Sequence, residues 1–453
     1  MFALGVPSAR ALYADEFAAL SLRNAVPTGA NKLRNSRHFG AVPGAPGTLP
    51  ENWNCYPAGG LSYAVVGTGT AAVTNPAGTV PYIDIRFSGT LSGGAESYLV
   101  LDGDVIPGAA GQAWTGSAWV AAIGTATGLD YFNVAAQFKD AGGGWLGAAQ
   151  AGNVALTATP TRYAGSGTAP ANTAFIAPVF VFGGRAGAVD TTVRLAGFQV
   201  EQAAAATAFV PTSADDGDWD TKMWWGPDQI YNGEQQYYPH VAEDGTRKSG
   251  GVNPLAVSGS VLTITASRTP AGAATGQPYV SGVLCGHRKL QRRYGYVEGR
   301  LRIPPGQGLW PALWLRPWPD DGTWGEIDIV ETVGENPLIL YNTVHSGTYA
   351  EGVHRMNNAD GGHATPFSAL GVDPTAGFNL YGVDWREDRI VFYFNRRPTK
   401  SVVTPPECKT NMAPIINFAL GGDWAGAVVE TSPSQIPAQY QVDYVRWWDR
   451  LPF

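Results

Sequence analysis

The stretch "TWGEIDIVETVG", residues 323 to 334, sets three carboxylates, Glu326, Asp328 and Glu331, among Ile and Val. On a strand, successive side chains point to opposite faces, so Glu326 and Asp328 share one face while Ile327 and Ile329 share the other. Strict alternation sends Glu331 to the aliphatic side. One extra residue, a β-bulge between Asp328 and Glu331, returns it to the acid face. The three acids then form one row spanning about 13 Å at ~3.3 Å per residue. Side chains of that length can lean toward a bond lying between them. Retaining glycosidases need two carboxyl groups about 5 to 5.5 Å apart, one as nucleophile and one as acid and then base. Crowded like charges also separate in proton affinity, which leaves one acid ionised and another protonated. Solvated acids on an edge strand are the plain alternative. Trp310, Trp314 and Trp324 argue against it, because such a strand does not need flanking rigid apolar faces.

The rest of the chain fits a β architecture. Its 453 residues include 58 Gly, 33 Pro and 11% aromatics against 15% charged residues, a balance that favours short strands joined by turns. An all-β fold of more than one domain is expected. A net charge of −7 with no basic stripe makes nucleic acid an unsuitable partner. No apolar run reaches the length of a membrane span. Three scattered cysteines give neither a zinc site nor a disulfide framework, and leave open a single Cys285 to Cys408 bridge. The opening "MFALGVPSARALYADEF" lacks a basic n-region, and Arg10 interrupts its apolar stretch, so no N-terminal secretory signal is recognisable. Work outside a cell would then follow from lysis, carriage on a particle, or another route.

Residues 31–212 are rich in Ala, Gly and Thr, and their alternating runs, such as "PYIDIRFSG" and "TVRLAGFQVEQ", read as an antiparallel sandwich. They hold no cluster of acids, His or Cys. The reading is a packed β-module, with sugar binding or particle attachment as its functional alternative. Its opening and closing phrases, "NKLRNSRHFGAVPGAPGTLPENW" and "LAGFQVEQAAAATAFVPTS", resemble jelly-roll modules of phage tail and tail-fibre proteins, themselves similar to carbohydrate-binding modules. From residue 218 onward, aromatic residues become dense. About nine strands follow, enough for two stacked sheets with a concave face for a chain-like ligand.

In this second part, "EIDIVE" and the ordered phrases "NGEQQYY", "YGYVEGRLRIP", "GLWPALWL", "TVHSG", "YGVDW", "INFALGGDW" and "VDYVRWW" resemble the family 16 glycoside hydrolases over about 240 residues. The resemblance implies a β-jelly-roll sandwich with a substrate cleft, plus the second β-sandwich module. It also implies endo-acting, retaining cleavage of a β-linked polysaccharide: a β-1,3 or mixed-linkage glucan, a galactan, or a bacterial exopolysaccharide. Carried onto this chain, Glu326 is the nucleophile, Glu331 the acid/base and Asp328 the assisting acid. His345 sits beside them, and Trp310, Trp314, Trp324 and Trp424 contact sugar, as do Asn232 and Glu234. No cofactor is expected for catalysis. A structural calcium is implied, with Glu16, Gly259 and Asp443 as its ligands. The displaced "DEF" at 15 to 17 suggests a discontinuous hydrolase domain of residues 10–27 plus 214–453, with 31–212 inserted. The expected setting is extracellular or virion-associated, with phage tail proteins as partners. The competing function is a non-catalytic glycan-binding or tail-fibre protein on the same fold.

Overall fold

A computed structural model describes residues 9–17, 30–38, 40–73, 78–92, 94–103, 106–212, 219–221, 231–241, 246, 248–287, 289–333, 336, 338–357, 363–366, 371–430 and 436–453. Of the hydrolase domain expected over 10–27 plus 214–453, residues 18–27, 214–218 and 222–230 are among those that lie outside them. The chain divides into two compact units. One comprises Met1–Leu22, Asp218–Val241 and Gly245–Phe453; the other comprises Arg23–Gly217 and Ala242–Asp244.

The first unit is built from two layers, antiparallel apart from the short pair Gln236–Tyr237 and Tyr279–Val280. Its larger sheet centres on the strand Ala438–Trp448, flanked by Val261–Arg268 on one side and Gly295–Arg302 on the other. The short strand Ala11–Asp15 pairs antiparallel with the far end of Ala438–Trp448, placing Asp15 opposite Val445. Asp15 then accepts a 2.7 Å bond from Trp219 Nε1, and Phe17 stacks on the same indole. An early segment is thereby tied to residues 200 positions further along.

The smaller sheet runs Val283–Cys285, Met412–Leu420, Leu309–Pro317, Glu326–Glu331, Ile339–Ser346 and Arg355–Met356 in spatial order, with His363–Pro366 also on Ile339–Ser346. Period-2 alternation sorts its side chains. Leu313, Leu315, Ile327, Ile329, Val330 and Val344 enter the core, where they join Val297, Tyr381, Trp385, Phe392, Tyr440 and Trp447. Each large aliphatic buried this way contributes roughly 1.5–3 kcal/mol. That core holds the acid-bearing strand in register.

The second unit is also a two-layer sandwich. One sheet orders Thr161–Thr168, Ala113–Thr127, Gly187–Glu201, Gly78–Leu91 and Leu61–Val73. The other orders Asn54–Tyr56, Glu96–Val100, Phe175–Gly183, Tyr131–Lys139 and Trp145–Gln150. Ile83, Ile85, Phe87, Val193 and Leu195 of the first meet Leu99, Phe132, Val134, Ile176, Phe180 and Phe182 of the second. A buried Arg34–Asp102 ion pair anchors the entry to this unit.

The cysteine bridge left open by the sequence does not form. Cys55, Cys285 and Cys408 form no disulfide; Cys408 lies in the core between the layers, while Cys285 belongs to a small cluster with Trp314 and Ile415. No described helix is long and apolar enough to cross a membrane.

Candidate active site

Glu326, Asp328 and Glu331 stand on the strand Glu326–Glu331, and the expected irregularity is present. Asp328 pairs with Thr343 and Glu331 with Tyr341, so three steps on one strand match two on its neighbour. Ile329 and Val330 both turn inward and are fully buried, which returns Glu331 to the acid face. The bulge is therefore fixed by two consecutive core side chains.

His345 faces Glu326 across the strand pair. Its Nε2 lies 2.9 Å from Asp328 Oδ2 and 3.7 Å from Glu326 Oε1, and its Nδ1 lies 2.8 Å from His354 Nε2. The neighbouring carboxylates outweigh burial and raise the His345 pKa to about 9. A protonated His345 donates from both nitrogens, so His354 is the neutral acceptor of the pair. Burial and the cation beside it hold the His354 pKa below the ordinary value.

The pKa values of two of the acids are raised as well. Burial first, then the charge of Glu326, raises Asp328 to about 7. Burial and the charge of Asp328 push Glu331 well above the usual carboxylate range, against the pull of His345 and a 3.0 Å hydrogen bond from Trp310 Nε1 to Glu331 Oε1. The shift favours the protonated form of Glu331, the form a general acid needs. Glu326 instead accepts a 2.8 Å bond from Arg316 Nη1. Arg316 reaches it because it lies one step beyond the Leu315–Ile327 pair of adjacent strands.

Aromatic side chains flank both ends of the acid row. At the Glu331 end, Trp424 on the one-turn helix Gly422–Ala425 meets Trp310 and Tyr341 edge-on, each with ring centroids 4.9 Å away. Trp424 is 39% exposed, so its ring remains available to a sugar. At the Glu326 end, Trp324 stacks on His354 at 4.8 Å and meets Tyr349 edge-on. The loops carrying them are joined by a bond from Trp324 N to Gly347 O and by the Thr323–Thr348 bridge.

Asn232 and Glu234 lie beside the Trp424 turn. Asp423 N donates to Asn232 O, Glu234 bridges to Gly421, and Gln236 Nε2 donates to Glu234 Oε2 at 2.6 Å. Burial raises the Glu234 pKa. These contacts make Glu234 a brace for the turn.

Trp314 is corrected by the structure. Expected as a stacking platform, it is only 9% exposed, packs with Val283, Ala312 and Ile415, and donates from Nε1 to Asn417 Oδ1 at 2.8 Å. Asn417 passes the contact on to the Tyr238 hydroxyl. Trp314 stands opposite Asp328 on the adjacent strand.

The proposed calcium ligands also depart from expectation. Calcium takes six to eight oxygens. Glu16 instead accepts two bonds from Arg446, at 2.7 and 2.9 Å, and Asp443 pairs with Arg300. Gly259 occupies a tight turn with φ +58 between two strands. With both carboxylates committed to guanidinium groups, this donor set does not fit a calcium ion. Among the described residues, the group of three acid or His side chains close enough to share an ion is Glu326, Asp328 and His345, already joined to one another.

Sequence reading missed the roles of Arg316, Tyr349 and His354. Arg316 carried a usable signal, since residues 310, 312, 314 and 316 share a face with the acids. Tyr349 and His354 come from a loop whose path has no periodic signature.

Comparison with known proteins follows this geometry. Residues 253–446 match the family model described as "Glycosyl hydrolases family 16". The chain is 37% identical over 238 residues to the endo-1,3-1,4-beta-glycanase EglC of Rhizobium meliloti, covering 51% of this chain and 47% of that one. It is 34% identical over 245 residues to a beta-glucanase of Rhodothermus marinus, covering 49% and 74%. The X-ray structure of the laminarinase from Rhodothermus marinus aligns at TM-score 0.39 with 29% identity, over 51% of this chain and 89% of that one. The chain spans about half the length of the Rhizobium relative. With 74% of the Rhodothermus beta-glucanase matched at 34% identity and the acid row in place, the chain belongs to glycosyl hydrolase family 16.

Proposed function

We propose that this protein is an endo-acting, retaining glycoside hydrolase of neutral β-linked glucan, with Glu326 as nucleophile, Glu331 as acid and then base, and Asp328 as the assisting acid. The observation that carries the reading is the unequal treatment of two glutamates on one face: Arg316 pairs with Glu326, while burial favours the protonated form of Glu331.

In the first step Glu331 gives its proton to the glycosidic oxygen. The bond from that oxygen to the anomeric carbon breaks as a Glu326 oxygen bonds to the same carbon from the opposite side. The leaving chain departs with the proton. Glu331, now ionised, takes a proton from water, whose oxygen displaces Glu326, and two inversions restore the original configuration. Asp328 sits between the two and hydrogen-bonds Glu326, so the nucleophile keeps one orientation through both steps. Substrate choice draws its support from the names of the relatives, an endo-1,3-1,4-beta-glycanase and a beta-glucanase.

Reducing-end release from laminarin and mixed-linkage β-glucan, with the anomer of the first product read by proton NMR, tests the reading. Retention is expected, with loss of release in Glu326→Gln. Equal activity in that variant, or an inverted first product, would remove this mechanism. An extracellular or virion-borne setting draws its support from the texture of residues 31–212 alone. Mass spectrometry of purified particles tests it, and a chain found only in culture fluid would remove the virion-borne version.

A further inference from the structure

The second unit carries a surface that the hydrolysis does not use. In its sheet running from Asn54–Tyr56 to Trp145–Gln150, alternate residues leave the sandwich core. Even-numbered side chains of Phe175–Gly183 and Tyr131–Lys139, such as Phe180, Phe182, Phe132 and Val134, enter that core. Ala135, Val179 and Val181 face the other way, forming a separate small cluster with Val100 and Ala148. Small side chains thus occupy the middle of the outward face. Larger ones stand on either side: Tyr56 and Tyr98, paired across neighbouring strands, and Gln150 on the opposite edge.

Two of the aromatic rings on this face are held rigidly. Tyr98 and Tyr131 donate their hydroxyls to the two oxygens of one carboxylate, Glu96, each at 2.7 Å. Tyr131 can reach across because its strand partner is Gly183, where an added Cβ would meet the Tyr131 ring at 2.2 Å. A glycine opposite and a carboxylate at the far end lay that ring flat along the sheet. Tyr98 is 36% exposed and Tyr56 58% exposed. Ordering costs for such rings have been met before any ligand arrives.

A second observation points to the ligand. Asn133, next in line after Val181 and Tyr98, is 7% exposed; its Nδ2 donates to Gln150 Oε1 at 2.9 Å, while its Oδ1 is buried without a hydrogen-bond partner. An unmade bond at a buried carbonyl costs about 1–3 kcal/mol, so a donor there is favoured. The outward positions of these strands are otherwise uncharged, apart from Glu96, already taken by two phenols, and Lys139 at the far end. Flat phenol faces next to an amide carbonyl that accepts a hydroxyl suit a chain of neutral sugars. An anionic ligand would find no counter-charge beside the rings.

We infer that this face, built on Tyr56, Tyr98, Tyr131 and Asn133, is a binding site for a neutral polysaccharide chain, separate from the catalytic acids. It goes beyond the hydrolase reading and does not depend on it. The test is affinity electrophoresis of the full chain carrying Glu326→Gln, in gels containing laminarin or mixed-linkage β-glucan. Tyr98→Ala combined with Tyr131→Ala is expected to weaken retardation at least tenfold, and Asn133→Ala severalfold. Thermal melting of each variant checks that the unit still folds. The double Phe variant, which keeps the rings, is expected to retain most of the binding. On the chain with Glu326 intact, the alanine pair is expected to leave hydrolysis of a short oligosaccharide unchanged. Unchanged retardation in a folded alanine variant overturns the site, as does the absence of retardation by both glucans. Concentration-dependent self-association in sedimentation, abolished by Tyr98→Ala, would overturn it by assigning the face to a second copy of the chain. Absence of hydrolysis by the parent chain with Glu326 intact, while retardation persists, would instead count against the catalytic proposal alone.

Discussion

Arg316 links Glu326 to Tyr349: its Nη1 lies 2.8 Å from Glu326 Oε2, and its Nη2 bonds the Tyr349 hydroxyl. Tyr349 fixes the guanidinium, and the guanidinium fixes the proposed nucleophile. Arg316→Ala is expected to lower kcat on the order of 10²-fold with a small change in KM, the range found when an oriented active-site donor is removed. Tyr349→Phe leaves the charge in place and is expected to cost about tenfold or less. Steady-state kinetics on mixed-linkage β-glucan checks both. A Tyr349→Phe variant worse than Arg316→Ala would contradict this order.

Trp310 lowers the proton affinity of Glu331 through its indole hydrogen bond. Trp310→Phe keeps a ring but removes that donor, so the Glu331 pKa rises further. The alkaline limb of the kcat/KM profile reports deprotonation of the acid and is expected to move to higher pH. A limb that stays fixed, or moves down, would show that Glu331 is not the group it reports.

Stability should depend on pH in a direction unusual for carboxyl groups. Asp328 and Glu331 have folded-state pKa values raised above their unfolded values. The folded chain therefore binds more protons, and stability is lost as pH rises through those folded values. His345, raised to about 9, acts in the same sense: its contribution is complete below the unfolded value near 6.5 and lost on passing about 9. Glu331→Gln removes a buried acid that must ionise at high pH. It is expected to melt above the parent protein at pH 9, with the gap narrowing toward pH 5. Calorimetry across that range decides, and a gap that widens on acidification would reverse the argument.

Calcium should have little effect on this chain. Glu16 and Asp443 are each paired with an arginine, so added calcium or chelator is expected to leave the melting temperature within about a degree, a shift well under the effect of 1 kcal/mol on a domain of this size. Glu16 and Arg446 are partly exposed, and their pair is screened by solvent; Glu16→Gln is expected to cost no more than about 1 kcal/mol. A large stabilisation by calcium in a melting scan would mean that the two arginines yield to the ion.

Strand alternation made much of this architecture legible before any coordinates. Three acids and three aliphatics in "EIDIVE" can be sorted onto two faces only with one residue in excess, and Ile329 and Val330 supply it. What could not be read was which partner each polar group selects. Trp314 shares the face of Trp310, yet Asn417 and Tyr238, more than 70 residues away on opposite sides in sequence, enclose it. Asp443 carries the right charge for a metal ligand, but Arg300 on the adjoining strand reaches it. Such choices depend on side-chain reach across strands, which composition and period do not encode. The outward face of the second unit was hidden for a related reason: Tyr131 is recognisable as a platform only once Gly183 is known to lie beneath it.

The doubled inward turn at Ile329 and Val330 makes the chemistry hostage to counting. Adding one more aliphatic between Asp328 and Glu331, with the bulge kept, would leave the charge untouched, yet alternation would point the second glutamate at the oily interior and strip the proposed proton donor from its place. An intact Glu at that position would then be a spectator, so a descendant of this protein could fall silent without losing a single acid.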